Sequence, residues 1–257
     1  MQIDLNCDMG ESFGAYTLGM DEAIIASISS ANIACGFHAG DPQVMSHTVK
    51  LAVERGVAVG AHPGFPDLMG FGRRNMECKE AEIEAYLIYQ IGALQAFCKA
   101  HGARLCHVKP HGALYNMAVG NEPMVRSIAR AIASVDSSLF MVTLAGAKAD
   151  RMAAIAAESG VTCRFEAFPD RAYTPDGALV SRRLPGAVIH DPEIAAERAV
   201  RMAIDGVVAA SDGTLVPLEV HTLCVHGDNP NGVALAANIR HSLEVAGVDV
   251  RPMLLLE

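Results

Sequence analysis

The feature that most constrains the fold of this chain is a regular alternation of short strand-like runs with longer helix-like segments. Seven strand-like runs occur, at residues 2–8, 32–37, 58–61, 105–108, 140–144, 163–168 and 222–225. Helical patterns separate most of them. In residues 80–101, apolar positions recur every three or four residues and Gly102 follows as a stop signal. Repeated strand–helix units predict a parallel sheet with helices packed outside it.

The number of these units favours a closed barrel over an open sheet. Seven units in 257 residues suit a TIM-like parallel (β/α)7 barrel better than a sheet of roughly four to six strands. Residues 170–189 interrupt the alternation, and the turn sequence Thr174-Pro175-Asp176-Gly177 predicts an inserted hairpin near residues 171–189. No linker, tandem repeat or low-complexity segment divides the chain, so residues 1–257 are predicted to form a single domain.

Charge and cysteine content argue against several classes of protein. The 20 lysines and arginines against 29 aspartates and glutamates give a net charge of −9, which argues against nucleic acid as a partner. The seven cysteines include no C-x-x-C pair, so they are predicted to be buried reduced thiols. The N-terminus lacks a signal-peptide pattern and no segment is apolar enough to cross a bilayer. We therefore expect a cytoplasmic protein without membrane contact.

Ionisable and amide side chains collect where the predicted strands end. The carboxyl ends of parallel strands share one rim, so these side chains are expected to converge on one pocket. They are Asn6, Asp8, Glu11, His38, Asp41, His62, Lys109, His111, Asp170, Arg171, His226 and Asp228. Each alone has a structural explanation; Asp41, for example, precedes Pro42 and fits a helix N-cap. Six strand ends that carry such groups together predict a functional site.

A loop between the third strand and the next helix adds candidate binding groups. Residues 63–74 are rich in glycine and proline, which predicts a lid over the rim. Arg73 and Arg74 at its end suit phosphate or carboxylate oxygens, and they equally suit a solvated surface pair. The chain contains no G-x-x-x-x-G-K-[ST] phosphate loop and no H-E-x-x-H motif. The G-x-S-x-G pattern at residues 10–14 is followed by a poor helix start, which argues against a serine nucleophile.

The segment His107-Val108-Lys109-Pro110-His111 places a lysine between two histidines. If the chain stays extended, the three side chains share a face, and the lysine charge disfavours a divalent cation there. An anionic ligand or a developing negative charge suits this arrangement better. The histidines and aspartates at the other strand ends fit general acid–base work and metal ligation equally well. The identity of any metal is therefore left open.

Six segments of the chain resemble the LamB/YcsF family, in the same order and over nearly the whole length. They are DLNCDMGE at residues 4–11, NIACGFHAGD at 32–41, GAHPG at 60–64, KPHGALYN at 109–116, DRAY at 170–173 and VHGD at 225–228. The resemblance implies a seven-stranded β/α barrel related to the glycoside hydrolase/deacetylase barrels. It also implies an activity, the ATP-dependent hydrolytic opening of 5-oxo-L-proline to L-glutamate with release of ADP and phosphate. The chain would act as one subunit of an enzyme that also contains subunits B and C.

The resemblance and the strand-end positions together give each candidate residue a role. The catalytic candidates are Asp8, Glu11, His38, His62, Lys109, His111 and His226. The candidates for binding substrate or nucleotide are Asn6, Asp41, Arg73, Arg74, Asn116, Asp170, Arg171 and Asp228. Phosphoryl transfer needs positive charge, for which Lys109, Arg73, Arg74 or Arg171 are candidates. The base that activates water would be Asp8, His38 or His62. Mg²⁺ arriving with ATP would bind carboxylates such as Asp8, Glu11 or Asp41.

Two other classes of function are compatible with the same residues. In the first, the protein is a metal-dependent amidohydrolase or deacetylase that needs no ATP, with His38, His62 and Asp8 as ligands to zinc or a similar ion. In the second, the chain is a binding subunit without chemistry of its own. An apolar patch on the rim and a shallow polar pocket are expected in that case.

Overall fold

The computed structural model describes residues 1–227 and 230–255. The strands in chain order are β1 (Gln2–Met9), β2 (Ser30–Ala34), β3 (Ala58–His62), β4 (Leu105–Val108), β5 (Phe140–Leu144), β6 (Cys163–Ala167), β7 (Val207–Ala209), β8 (Leu215–Pro217), β9 (Thr222–Val225) and β10 (Asp249–Val250). The helices are α1 (Asp21–Ile24), α2 (Pro42–Arg55), α3 (Glu80–Ala100), α4 (Gly112–Ala118), α5 (Glu122–Asp136), α6 (Ala149–Ala157), α7 (Pro192–Ile204) and α8 (Pro230–Val245). Short 3₁₀ turns lie at Ile25–Ser27 and Met253–Leu255.

Seven parallel strands close into a barrel, which confirms the predicted fold class. The order around the barrel is β1-β2-β3-β4-β5-β6-β9, and β9 pairs with β1 to complete the ring. On β1, Asp8 lies opposite Asn32 of β2, and Asn6 lies opposite Cys224 of β9. Each strand that the sequence pattern predicted forms part of this ring. All the strand carboxyl ends therefore face the same side of the molecule.

The helices begin and pack as their sequence patterns predict. The Asp41 side chain caps α2 by accepting from the backbone N–H groups of Gln43 and Val44, and Asp191 caps α7 in the same way. In α3, the apolar positions three and four residues apart form the buried face against the barrel. In the part of the chain that the structure describes, no helix combines the length and the hydropathy that a membrane span requires.

The inserted segment after β6 pairs less regularly than a hairpin ladder. The backbone turns at Thr174–Gly177, where Gly177 N–H donates to the carbonyl of Thr174 at 2.9 Å. The flanking chain forms only isolated antiparallel bridges, between Arg171 and Val188 and between Tyr173 and Leu179. Regular antiparallel pairing occurs instead between β7 and β8. These strands have three residues each, too few for a periodic signal in the sequence.

The interior of the barrel is polar, whereas the layer between barrel and helices is apolar. Fully buried polar residues line the inside of the strands: Asp4, Asn6, Asn32, His107, Glu166 and Thr222. Buried polar groups at this density require internal partners, and these residues hydrogen-bond mainly to one another. All seven cysteines are free and six are buried, which confirms their predicted state.

Candidate active site at the carboxyl end of the barrel

A cavity of about 660 Å³ opens at the carboxyl ends of the barrel strands. Its ionisable and polar lining residues are Asp8, Glu11, His62, Arg73, Lys109, His111, Tyr115, Asn116, Arg171, Ser181, Arg182, Arg183 and His226. Phe168 and Leu179 add apolar surface on one side. The strand ends thus bring together side chains that are far apart in sequence, as their position at the rim predicted.

Lys109 forms the floor of the cavity between two carboxylates. Its Nζ atom lies 2.7 Å from Glu166 Oε1 and 2.9 Å from Asp8 Oδ1. Burial by itself lowers the pKa of this ammonium group, but the charges of Asp8 and Glu166 hold the pKa well above its usual value. Lys109 is therefore a fixed positive charge and not the neutral amine that a nucleophile requires.

Asp8 faces the cavity and is held in one orientation by three neighbours. Its Oδ1 accepts hydrogen bonds from Lys109 Nζ at 2.9 Å and from Asn32 Nδ2 at 2.8 Å. Its Oδ2 lies 3.3 Å from His62 Nε2. Burial alone raises the pKa of this carboxyl, and the neighbouring His62 and Lys109 more than reverse that effect, so the pKa lies well below its usual range. Asp8 is ionised at neutral pH.

A chain of buried amides and an imidazole supports Asp8 from below. His107 Nε2 donates to Asn32 Oδ1 at 2.7 Å, and Asn32 Nδ2 is shared between Asp8 and Asn6 Oδ1. Asn6 in turn donates to Glu166 Oε1 at 3.0 Å. Burial lowers the pKa of His107 to about 3, so this ring is neutral. Asn6, a predicted binding residue, is fully buried below the cavity and orients its floor.

Three imidazoles and one carboxylate form a cluster in the wall beside Asp8. The rings of His38 and His111 stack with centroids 3.6 Å apart, and His111 Nδ1 lies 2.9 Å from His62 Nε2. Glu11 Oε1 is 3.5 Å from His38 Nε2 and 3.6 Å from His111 Nδ1. Burial lowers the pKa of His111 to about 3 and that of His38 well below its usual value. In the described residues these four side chains are the group able to converge on one metal ion.

The loop at residues 63–74 is fastened to the barrel beside this cluster. The backbone N–H of His111 donates to the carbonyl of Pro63, and that of Ala113 donates to the carbonyl of Gly72. The carbonyl of Phe71 accepts from His111 Nε2 at 2.8 Å. The segment expected to act as a lid thus includes a fixed wall of the site, with Leu68 and Met69 exposed at its outer edge.

His226 forms an ion pair at the opposite side of the cavity. Its Nδ1 donates to Asp170 Oδ2 at 2.6 Å, and Arg182 Nη2 lies 3.0 Å from its Nε2. Burial lowers the pKa of His226, but Asp170 reverses this and raises it above 6.5. Burial raises the pKa of Asp170, but the positive charge of His226 holds it below 3.8. When His226 is protonated, its Nε2 atom no longer accepts from Arg182, whereas its contact with Asp170 becomes an ion pair. The two contacts of His226 therefore depend on pH in opposite directions.

We expect Asp170→Asn to move the pKa of His226 from above 6.5 to below it, because burial and the charge of Arg182 then outweigh the remaining charge of Asp8. Histidine ring NMR against pH measures the shift, with the resonance assigned by its loss in His226→Gln. The contribution of His226 to stability is complete below pH about 6.5 and is lost as pH rises through its raised pKa. The contribution of Asp170 to stability is lost as pH falls through its lowered pKa. A wild-type His226 pKa below about 6.5 would contradict this description.

The structure separates the predicted arginines and acids into those at the cavity and those elsewhere. Arg73 lies at the cavity with its guanidinium 4.8 Å from the Phe71 ring centroid. Arg171 also borders the cavity, but it donates to the carbonyls of Ala187 and Val180 and braces the inserted segment. Asn116 reaches the lining from α4.

Arg74 and Asp41, two further predicted binding residues, lie outside the cavity lining, as do Asn6 and Asp170. Arg74 forms an ion pair with Asp67, next to the loop turn at Gly70. Both carboxylate oxygens of Asp41 accept hydrogen bonds from backbone N–H groups. Its Oδ1 accepts from the first turn of α2, and its Oδ2 accepts from Gly14 at 2.7 Å. The helix-cap explanation for Asp41 thus accounts for the position of its side chain. Asp228 lies outside the described residues.

Several site residues were missing from the candidates. Glu166 is the clearest: it lies inside β6, and a charged residue alternating inward in an apolar run was a usable signal. Asn32 stands at the start of the second predicted strand, directly across from Asp8. Arg182 and Arg183 belong to the irregular inserted segment, where no strand periodicity predicts their direction.

The closed parallel barrel and the cluster of ionisable groups at one mouth define a TIM-like barrel with an enzyme-like cavity. The chain belongs to the LamB/YcsF family, whose model matches residues 3–256.

Comparison with individual proteins gives the same assignment. A protein of Natranaerobius thermophilus, named as the A subunit of 5-oxoprolinase, is 57% identical over 98% of this chain and 96% of its own length. A protein of Thermococcus onnurineus with the same name is 55% identical over 98% of both chains. The crystal structure of a lactam utilization protein from Thermus thermophilus is 49% identical, with a TM-score of 0.92 over 98% of this chain and 99% of that one.

Proposed function

We propose that this chain is the A subunit of a 5-oxoprolinase, which hydrolyses the lactam of 5-oxo-L-proline to L-glutamate with ATP consumption. The main support for this proposal is the identity of 51–57%, over 98% of the chain, to proteins named as the A subunit of that enzyme. The cavity supports the proposal because it combines a fixed ammonium group, an ionised carboxylate and a cationic mouth. Subunits B and C are the proposed partners, and the cytoplasm is the proposed compartment.

The reaction has a specific chemical difficulty that ATP would remove. An amide carbonyl is a weak electrophile, and transfer of the γ-phosphoryl group to its oxygen activates the carbon. Water then adds at that carbon, the ring C–N bond breaks, and the nitrogen takes the electron pair and a proton. A second water releases phosphate from the resulting acyl phosphate. One water is consumed in opening the ring and one in hydrolysing ATP, which balances glutamate, ADP and phosphate.

The positive groups of the cavity suit the anions in this sequence. Lys109 is buried and preorganised at the floor, where a fixed positive charge stabilises negative charge on the lactam or phosphoryl oxygens. Arg73, Arg182 and Arg183 surround the mouth and suit phosphate or carboxylate oxygens. Arg171 contributes its charge there, although its donors are largely engaged by carbonyls. These roles are part of the proposal.

Asp8 is the proposed base of the ring-opening step. It lines the cavity and is ionised, whereas His38 is fully buried behind the wall. Lys109 and Asn32 fix one carboxylate oxygen, so the other edge of the group is oriented to hold a water molecule. His62 lies beside that edge at 3.3 Å.

The carboxylates of the cavity offer little to a magnesium ion. Mg²⁺ prefers oxygen ligands, but Asp8 Oδ1 is engaged by two donors and Glu11 lies among imidazoles. Asp41 is a helix cap away from the cavity. We propose that Mg²⁺ is held mainly by the phosphates of ATP, with Asp8 as the adjacent carboxylate.

Reconstitution tests the function directly. The chain is assayed alone and with its B and C partners for glutamate formation and for ADP release that depends on 5-oxoproline. We expect Asp8→Asn to lower turnover about 100- to 10,000-fold, the range for loss of a general base. Asp191→Asn is the matched control, because asparagine also caps helices and Asp191 lies outside the cavity lining.

Two outcomes would contradict the proposal. Turnover that needs a metal ion but ignores nucleotide would indicate an amidohydrolase without ATP coupling. Full turnover in the Asp8→Asn complex would indicate that this chain binds without contributing chemistry.

A further inference from the structure

We propose that Glu11, His38, His62 and His111 bind one divalent transition-metal ion of the zinc class in the wall of the cavity. Each side chain offers one ligand atom, and these atoms all lie within 4.8 Å of one another. Three imidazole nitrogens with a carboxylate oxygen form a donor set typical of Zn²⁺. The inference does not rest on the proposed reaction, because it depends only on these four side chains and their surroundings.

Two backbone carbonyls orient His62 and His111 toward the same point. The carbonyl of Lys109 accepts from His62 Nδ1 at 2.7 Å, and the carbonyl of Phe71 accepts from His111 Nε2 at 2.8 Å. A carbonyl oxygen only accepts, so each ring carries a proton on the nitrogen that faces its carbonyl and directs its other nitrogen inward. The inward atoms, His62 Nε2 and His111 Nδ1, are 2.9 Å apart. Two ring nitrogens this close need a proton or a metal ion between them, and metal-bound histidines are held by such carbonyl contacts.

His38 contributes a third nitrogen from a ring that is completely enclosed. The side chain is fully buried, and among the described residues neither ring nitrogen has a hydrogen-bond partner. Such burial is costly for an imidazole. Its Nε2 lies 3.5 Å from Glu11 Oε1, which is 3.6 Å from His111 Nδ1. These separations are close to the roughly 3.3 Å between ligands around a tetrahedral ion at zinc–nitrogen distance.

The backbone next to these rings leaves room for them and for no added side chain. A Cβ atom at Gly64 would lie 2.8 Å from His38 Nδ1, and one at Gly72 would lie 2.8 Å from His111 Cδ2. Phe71, whose carbonyl orients His111, has φ of 53° and is the single non-glycine residue with positive φ in residues 1–227 and 230–255. Strained backbone persists where the surrounding structure enforces it, and it occurs frequently at ligand sites.

The charge of Lys109, which in the sequence disfavoured a divalent cation nearby, is compensated inside the barrel. Glu166 and Asp8 both contact its Nζ atom, and Asp8 lies between Lys109 and His62. His107, the other histidine of that segment, turns to Asn32 at 2.7 Å. The side chains of His107, Lys109 and His111 therefore do not form one shared face. Repulsion between Lys109 and a metal ion is not an argument against this site.

Zinc binding by the chelator-treated full-length chain tests the proposal, measured by isothermal titration calorimetry with Zn²⁺ at neutral pH. We expect one equivalent to bind. Glu11→Gln keeps the shape of the side chain and is expected to weaken binding at least about tenfold, and His111→Asn at least about 100-fold. His221→Asn is the control. It removes a half-buried histidine whose Nδ1 accepts from the backbone of Phe165, and binding is expected to equal wild type.

Several results would overturn the proposal. In one, the wild-type chain binds no stoichiometric zinc, and His62 and His111 share a proton instead. In the others, both ligand variants bind like wild type, or the control loses binding equally. Circular dichroism establishes that each variant is folded. If His111→Asn does not fold, Glu11→Gln decides the question alone. The measurement needs neither 5-oxoproline nor ATP, so failure of the proposed reaction and failure of this site are distinguishable.

Discussion

Lys109→Met is expected to lower 5-oxoproline turnover about 100- to 1,000-fold, the loss typical of removing one preorganised donor. It is also expected to destabilise the fold by about 3–5 kcal/mol, because Glu166 is left as a buried charge without its counter-ion. Glu166 is fully buried and 2.7 Å from the ammonium group. Methionine matches the length of the lysine stem, so a cavity contributes little to the change. Urea unfolding of the isolated chain and turnover of the reconstituted complex measure the two effects.

A second substitution separates the electrostatic effect from the catalytic one. Glu166→Gln in the Lys109→Met background removes the uncompensated charge and retains an acceptor for Asn6 Nδ2, which now donates to Glu166 Oε1 at 3.0 Å. The double variant is expected to recover about 1–3 kcal/mol of stability and to remain as slow as Lys109→Met. Lys99→Met, at an exposed position of α3, is the control and is expected to change stability by less than about 0.5 kcal/mol.

Two outcomes would contradict this description of the floor. Lys109→Met with wild-type stability would mean that the ion pair between Lys109 and Glu166 contributes nothing to the stability of the fold. Recovery of turnover in the double variant would mean that Lys109 acts only by compensating Glu166 and contributes no positive charge to the reaction.

The order of elements and the position of the site were predictable from sequence because both depend on short-range patterns. Strand–helix alternation predicted each barrel strand, and the shared rim of a parallel barrel then placed Asp8, His62, Lys109 and His226 at one cavity. A polar residue at the end of a predicted strand is expected at this rim whatever its distance in sequence from the other site residues. The number of strand–helix units then favoured a sheet closed into a barrel over an open sheet.

The pairing of groups across the barrel was not predictable in the same way. That Lys109 contacts Glu166, or that His107 contacts Asn32, depends on strand register and on side-chain direction inside the ring, which no local pattern encodes. Asp41 shows the converse: its position at a strand end resembled that of a binding residue, but its side chain satisfies the first turn of α2. Both kinds of residue look alike in the sequence, and only the tertiary contacts separate them.

Gly60→Ala is expected to be strongly destabilising although it adds a single methyl group. Gly60 of β3 pairs with Asn32 on one side and with His107 on the other. A Cβ atom at this position would lie 2.0 Å from His107 Nε2, so the imidazole has to leave its place. Overpacking costs about 1–3 kcal/mol, and loss of the His107–Asn32 hydrogen bond leaves a buried acceptor at a further cost of about 1–3 kcal/mol.

The effect on turnover is expected to follow from the same displacement. Asn32 donates to Asp8 Oδ1 and is itself fixed by His107, so a displaced imidazole releases the proposed base from its orientation. Misplacement by about 1 Å is enough to cost about 100-fold in rate. Gly92→Ala in α3 is the matched control, because no neighbouring atom of the described residues lies within 4 Å of its Cβ position. That variant is expected to gain about 0.5–1 kcal/mol from helix propensity.

A double variant identifies the clash as the cause. His107→Ala alone leaves Asn32 Oδ1 without its donor and is expected to destabilise the chain, but it also empties the space that the added methyl group would enter. The double variant Gly60→Ala/His107→Ala is therefore expected to lose less stability than the two single variants added together, with a difference of more than about 1 kcal/mol. Strict additivity in urea unfolding would mean that the strand moves to accept the methyl group, and the glycine would then have no role in placing Asp8.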